Sequence, residues 1–101
     1  MNTMVMDRPP LELVRSVVAE LSDDLGYDRL RDPAPDTPLF GGDDGIDSLS
    51  LVHVVAGVER AAQQAYGRAV VLADERAMSR RSSPFRTVGT LAALLQERLA
   101  E

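Results

Sequence analysis

Apolar side chains recur every three or four positions in three separate stretches of the chain, which is the period of an amphipathic helix. The first stretch predicts a helix that begins at Pro9-Pro10, where the missing N–H groups cost nothing, and runs to about Leu25. Gly26 then supplies a typical helix end. The apolar positions of this stripe are Leu11, Val14, Val18, Leu21 and Leu25, widened by Leu13 and Val17.

Two further long helices and one short helix follow from the same pattern. The second is predicted from about Ser48 to Tyr66, before Gly67, and its broad apolar face predicts a central position. Asp74 is a candidate N-cap for a short helix that reaches about Ser79, and Thr87 is one for the last helix. The two long stripes are Leu49, Val52, Val55, Val58 and Ala62 (broadened by Leu51, Val54 and Ala61), and Val88, Leu91, Leu94, Leu95 and Leu99.

The connections between these helices are polar or rich in proline. Residues 27–45 are predicted to form a long irregular loop, which the apolar pair Leu39-Phe40 pins to the core. We interpret residues 68–72 as a buried linker, because no second strand candidate exists to pair with them. The expected fold is all-α: a four-helix bundle with three longer helices, one short third helix and a long loop between helices 1 and 2. One domain covers residues 1–101, with 1–8 a flexible N-terminal tail.

Composition narrows the chemistry more than the fold. The chain has 101 residues, of which 45% are apolar and 4% aromatic, as a core of packed Leu, Val and Ala helices would have. It contains no Cys, so a disulfide framework, a thiolate zinc site and a cysteine nucleophile are excluded. Lys is absent as well, which excludes a Schiff-base lysine. With no apolar run near the ~20 residues of a membrane span and no signal-peptide pattern, we expect a cytoplasmic protein.

Charge is distributed unevenly between the two halves of the chain. Residues 1–50 hold four Arg and eleven acids, a net charge of −7, whereas residues 51–101 hold seven Arg and five acids, a net charge of +2. The acidic half argues against nucleic acid as the main partner. A surface with two signs of charge suits a protein partner, and we expect a monomer.

The most informative motif is Asp47-Ser48-Leu49, which lies between a Gly/Asp-rich loop and the second helix. Asp and Ser are common N-cap residues, so the motif also fits an ordinary helix start. The same position suits a serine that carries an anionic group, because the first turn of a helix presents unpaired N–H groups and the positive end of the macrodipole.

Three features in order, over residues 8 to 100, resemble the acyl and peptidyl carrier proteins. Gly45-Ile46-Asp47-Ser48-Leu49 is similar to the family's Gly-x-Asp-Ser-Leu signature. Val71-Leu72 before Asp74-Glu75 resembles the entry to the family's small third helix. The opening of the family's last helix is similar to Phe85-Arg86-Thr87-Val88-Gly89.

The resemblance implies that Ser48 carries 4′-phosphopantetheine, attached by a phosphopantetheinyl transferase. An acyl or aminoacyl group would be held as a thioester on the cofactor's thiol, which would explain thiol chemistry in a chain without Cys. Asp47 would belong to the transferase's recognition surface, and Leu49 would anchor the first turn against the core. The chain would then be no enzyme itself, but a carrier substrate of partner enzymes.

The chain departs from the carriers of fatty-acid synthesis, whose second helix is strongly acidic. Here that helix holds His53 and Arg60, and the segment after it holds Arg76, Arg80 and Arg81. We therefore expect a discrete carrier of a specialised biosynthetic pathway. Its partners would be an acyl- or aminoacyl-loading ligase and a downstream synthase or transferase, which contact these five residues.

Other hypotheses use the same residues. Ser48 and His53 could form a nucleophile and base, but five residues along a helix place them about 140° apart. Asp43, Asp44 and Asp47 could bind a cation, although they fall short of a calcium loop, and we expect no metal site. The main alternative from another class is a helical protein–protein adaptor that has the carrier fold and is never modified.

Overall fold

The computed structural model describes residues 9–101, so the predicted tail 1–8 lies outside the described residues. Helix α1 spans Pro10–Leu25, with a proline in its first turn. Gly26 ends it in the left-handed conformation at φ 82°, where its N–H donates to the carbonyls of Ser22 and Asp23. A left-handed residue without a Cβ is the common way to end a helix. Both predicted ends of the first helix are confirmed.

Each of the remaining helices is preceded by a residue whose side chain accepts a hydrogen bond from a free N–H group of the helix's first turn. Helix α2 spans Ser48–Tyr66, α3 spans Glu75–Met78 and α4 spans Val88–Leu99. Asp74 accepts from the Ala77 N–H at 3.0 Å and caps α3. Thr87 and Thr90 exchange side-chain and backbone hydrogen bonds, which form a capping box at α4. The predicted all-α bundle of three longer helices and one short third helix is confirmed.

Helix α1, rather than α2, packs against both other long helices. The predicted central position of α2 was therefore wrong. The reason lies in its first two turns, where Leu49 is 68% and Val52 60% exposed, so part of the broad apolar stripe faces outward. The fully buried large side chains of the core are Leu13, Leu30, Leu39, Leu72, Leu91, Leu94, Leu95, Val14, Val18, Val54, Val58 and Val88.

The long loop is tied to the segment that leads into α4. Leu39 is fully buried, and its N–H donates to the Arg86 carbonyl at 2.6 Å. The Phe40 N–H donates to the Phe85 carbonyl at 2.9 Å, and the Leu39 carbonyl accepts from the Ile46 N–H at 2.6 Å. These backbone bonds confirm that Leu39-Phe40 pins the loop, and they bring its last residues to the start of α2.

The linker between α2 and α3 contains no regular structure, as predicted, but it is buried only at alternate positions. Val70 and Leu72 point into the core, whereas Val71 is 60% exposed. The Leu72 N–H donates to Glu59 Oε2 at 2.8 Å, which ties the linker to α2. Within residues 9–101, no helix is both long and apolar enough to cross a bilayer.

Candidate functional site

Ser48 is the first residue of α2, and its side chain is exposed. Asp47 precedes it as the N-cap in an extended conformation, and its Oδ1 accepts from the Ser50 N–H at 2.7 Å. The cap fixes where the helix begins, so Ser48 opens a turn whose leading N–H groups have no partner within the helix. The predicted helix start at Ser48 is confirmed.

The Asp47 carboxylate is held in its charged form. Hydrogen bonds from the Ser50 backbone N–H and then from the Ser50 hydroxyl lower the pKa of Asp47, and the Tyr27 hydroxyl and the charge of His53 act in the same direction. A negative charge therefore lies directly before Ser48 at neutral pH. His53 and Arg60 are exposed on the same helix.

Two residues that the sequence did not single out hold the loop in front of Ser48. The Tyr27 hydroxyl accepts from the Asp47 N–H at 3.2 Å, and the Arg29 guanidinium lies 5.8 Å from the centre of the Tyr27 ring. Arg29 also donates to the carbonyl oxygens of Pro38 and Asp44. No spacing rule points to these contacts, because they join positions that are distant along the chain.

Leu49 does not anchor the first turn, and that expectation was wrong. It is 68% exposed, whereas the inward positions of the first turns are Ser50 and Val54. Successive helix positions turn by about 100°, so a residue next to a buried one points aside. Together with Val52, Val71 and Met78, Leu49 completes the set of large apolar side chains that are exposed among residues 9–101.

An apolar groove runs between α2 and the α3 segment, beginning within one turn of Ser48. Its volume is about 390 Å³, and it is open to solvent. Its one charged lining residue is Glu59, whose Oε2 is already engaged by the Leu72 N–H. The apolar lining consists of Leu51, Val52, Val55, Ala56, Val71, Ala73, Met78 and Phe85.

The cationic residues after α2 do not form one free surface. Arg76 contacts Glu101 Oε2 at 3.0 Å, and Arg80 contacts Glu97 Oε1 at 2.6 Å. Arg81 is exposed and makes no ion pair within the described part of the chain. The structure thus brings Arg76 and Arg80 to the end of α4, and leaves Arg81 available for a partner.

No group of three or more His, Asp or Glu side chains within residues 9–101 is arranged to hold a metal ion.

Comparison with protein families, with curated proteins and with solved structures finds no match for this chain.

Proposed function

We propose that this chain is a discrete acyl or aminoacyl carrier protein that bears 4′-phosphopantetheine on Ser48. The observation that carries the proposal is the position of Ser48: an exposed hydroxyl at the first turn of a 19-residue helix. A phosphodiester at this oxygen would face unpaired N–H groups and the positive end of the helix macrodipole. The Asp-Ser-Leu motif and its resemblance to the carrier family supply the second line of support.

The residues around Ser48 fit such a group. The Asp47 carboxylate is turned toward the Ser50 N–H and the Tyr27 hydroxyl, and the groove begins at Leu51 and Val52. In the attachment step, the Ser48 oxygen bonds to phosphorus and the phosphoanhydride bond of coenzyme A breaks. Adenosine bisphosphate leaves with the electron pair, and the serine proton passes to a base of the transferase. The bound cofactor would supply the thiol that the chain lacks.

The surface beside Ser48 suits repeated docking by other proteins. Leu49 and Val52 expose apolar area next to the serine, and the charge of Asp47 marks the same edge. Exposed apolar patches of this kind are typical of interaction sites. We propose as partners a phosphopantetheinyl transferase, an acyl- or aminoacyl-loading ligase and a downstream synthase or transferase of a specialised pathway.

The alternative is an unmodified protein–protein adaptor, which the same exposed apolar side chains favour. One experiment separates the two functions. The chain is incubated with coenzyme A and a broad-specificity phosphopantetheinyl transferase, and its intact mass is measured. The carrier function predicts a gain of one phosphopantetheine in wild type and in the matched control Ser82→Ala, and none in Ser48→Ala. Absence of any gain in wild type, or a gain that survives Ser48→Ala, contradicts the proposal.

A further inference from the structure

Arg98 is the one charged side chain that is buried among residues 9–101, with 5% of its surface exposed. Each nitrogen of its guanidinium has a partner. Nε donates to the Val71 carbonyl at 3.1 Å, one terminal nitrogen to Asp74 Oδ1 at 2.9 Å and the other to Glu101 Oε2 at 3.2 Å. A buried guanidinium is stable only with such a full set of partners, so Arg98 holds this stretch of backbone firmly against α4.

The stretch that Arg98 holds is one wall of the apolar groove. Val71 and Ala73 line the groove directly. Asp74 pairs with Arg98 and also caps α3. Through Asp74, Arg98 therefore also holds the short helix that carries Met78. Arg98 lies behind the wall and is not among the groove-lining residues.

The opposite wall is α2, the helix that begins with Ser48. The groove starts at Leu51, about 5 Å along the helix axis from Ser48 at 1.5 Å per residue. Its lining is almost wholly apolar, so it matches an uncharged hydrocarbon chain. Its volume of about 390 Å³ is room for roughly a dozen heavy atoms, at about 30 Å³ for each water-sized unit.

We propose that Arg98 fixes the width of this groove and thereby limits the length of the acyl chain that the carrier can shelter. The inference rests on the proposed function, because it takes the occupant to be the acyl group carried from Ser48. Arg98 is a positioning residue: it holds the Val71–Asp74 wall in place and touches neither the cofactor nor the acyl chain.

The test compares acyl chains of different length on the intact protein. Ser48 is loaded from butyryl-, octanoyl- and hexadecanoyl-coenzyme A, and cleavage of each thioester by hydroxylamine is timed. The Met78 methyl resonance reports whether the chain enters the groove. In wild type, the octanoyl thioester should be cleaved several-fold more slowly than the hexadecanoyl one, because the hexadecanoyl chain exceeds the room in the groove. In Arg98→Met that difference should vanish, because the released wall admits the longer chain.

Two further variants keep the test decisive. Arg68→Met removes an exposed guanidinium that donates to the Leu99 and Glu101 carbonyl oxygens but to neither Val71 nor Asp74, so its length limit should equal that of wild type. If Arg98→Met does not fold, Arg98→Lys keeps a charge beside Asp74, loses the Nε donor to Val71 and should weaken the limit. A length limit that is unchanged in the folded Arg98 variant, or a Met78 methyl that no acyl chain shifts, overturns the inference.

Failure of the proposed function is recognised separately. If the transferase never modifies Ser48, the carrier function fails, while the groove can still be tested. Because the chain contains no Cys, Ser48→Cys provides a single thiol for iodoacetamides that carry the same three chains on a spacer of pantetheine length. The longest attached chain that still shifts the Met78 methyl resonance gives the length limit of the groove. A limit that differs between wild type and Arg98→Met supports the role of Arg98, and an identical limit refutes it.

Discussion

The Tyr27 hydroxyl lies within hydrogen-bond distance of two atoms of Asp47. It accepts from the Asp47 N–H at 3.2 Å and lies 3.5 Å from Asp47 Oδ2, to which it donates. Tyr27 belongs to the loop after α1, whereas Asp47 caps α2. The Tyr27 side chain therefore links the loop after the first helix to Asp47, the residue that precedes Ser48. It holds Asp47 in position beside the serine from outside α2.

Replacing Tyr27 with Phe should slow modification of Ser48 more than it lowers stability. The lost hydrogen bonds are exposed, so water can replace them, and the free energy of unfolding should fall by only about 0.5–1.5 kcal/mol. The geometry of Asp47 would be less well defined, which should reduce the initial rate of phosphopantetheine transfer. Intact-mass time courses and urea unfolding measure the two effects. Tyr66→Phe, at the far end of α2, is the matched control, and a Tyr27→Phe rate equal to wild type would refute the role of this contact.

Stability should be lost on the acid side of the pH range. Hydrogen bonds lower the pKa of four carboxyl groups: Asp47 through Ser50, Asp74 through Ala77, Glu97 through Arg80 and Glu101 through Arg76. A carboxyl group whose pKa is lower in the folded state stabilises the fold above its unfolded pKa, and that contribution is lost as the pH falls through the folded pKa. The melting temperature should therefore be nearly constant from neutral pH to about 5 and should fall below about pH 4.5.

Asp47→Asn measures how much of the loss of stability in acid is due to the Asp47 carboxyl group. Asn keeps an oxygen that can cap the helix, so the free energy of unfolding at pH 7 should change little. The substitution removes the titrating carboxyl group at position 47, so the fall of the melting temperature below about pH 4.5 should become shallower. An acid decline as steep as that of wild type would show that Asp47 contributes nothing to it.

Much of the fold follows from local signals in the sequence. Helix ends at Gly26 and Gly67, and caps at Asp47, Asp74 and Thr87, were predicted because each residue acts within one turn of its own helix. The candidate serine was found for the same reason, as it belongs to a contiguous motif.

The expectations that were wrong depend on which face of α2 finds a partner. Leu49 and Val52 belong to an apolar stripe of α2 that is wider than the surface that α1 covers. The spacing of apolar residues therefore could not predict that these two side chains are exposed. Contacts such as Tyr27–Asp47 and Arg98–Val71 join positions far apart in sequence. Arg98 did leave a signal, since it follows Leu91, Leu94 and Leu95 at helical spacing on the buried face of α4.

Two glycines at helix contacts should respond differently to Ala. A Cβ on Gly89 would lie 2.9 Å from the Pro35 carbonyl oxygen, the atom that accepts the Gly89 N–H at 2.7 Å. Backbone cannot yield easily, so Gly89→Ala should destabilise by about 1–3 kcal/mol despite the better helix propensity of Ala. A Cβ on Gly57 would lie 3.0 Å from Val17 Cγ1, a side-chain methyl that needs to give way by only a few tenths of an ångström. Gly57→Ala should thus change stability by less than about 1 kcal/mol, and equal losses in urea unfolding would contradict this distinction.

Charge reversal should affect the two neighbouring arginines after α3 in different ways. Arg80 pairs with Glu97 at 2.6 Å, so Arg80→Glu replaces an internal attraction with repulsion and should lower the melting temperature. The pair is partly exposed, so screening by solvent should keep this loss small.

Arg81→Glu should leave the melting temperature unchanged, because Arg81 makes no ion pair within residues 9–101. If Arg81 faces acidic side chains of the loading enzyme, its reversal should slow loading, and the effect should shrink as added salt screens the charges over about 8–10 Å. Loading rates at low and high ionic strength, beside thermal melts of both variants, separate the two roles. Loading of Arg81→Glu at the wild-type rate in low salt would assign Arg81 to the solvated surface and place recognition on the apolar side chains around Ser48.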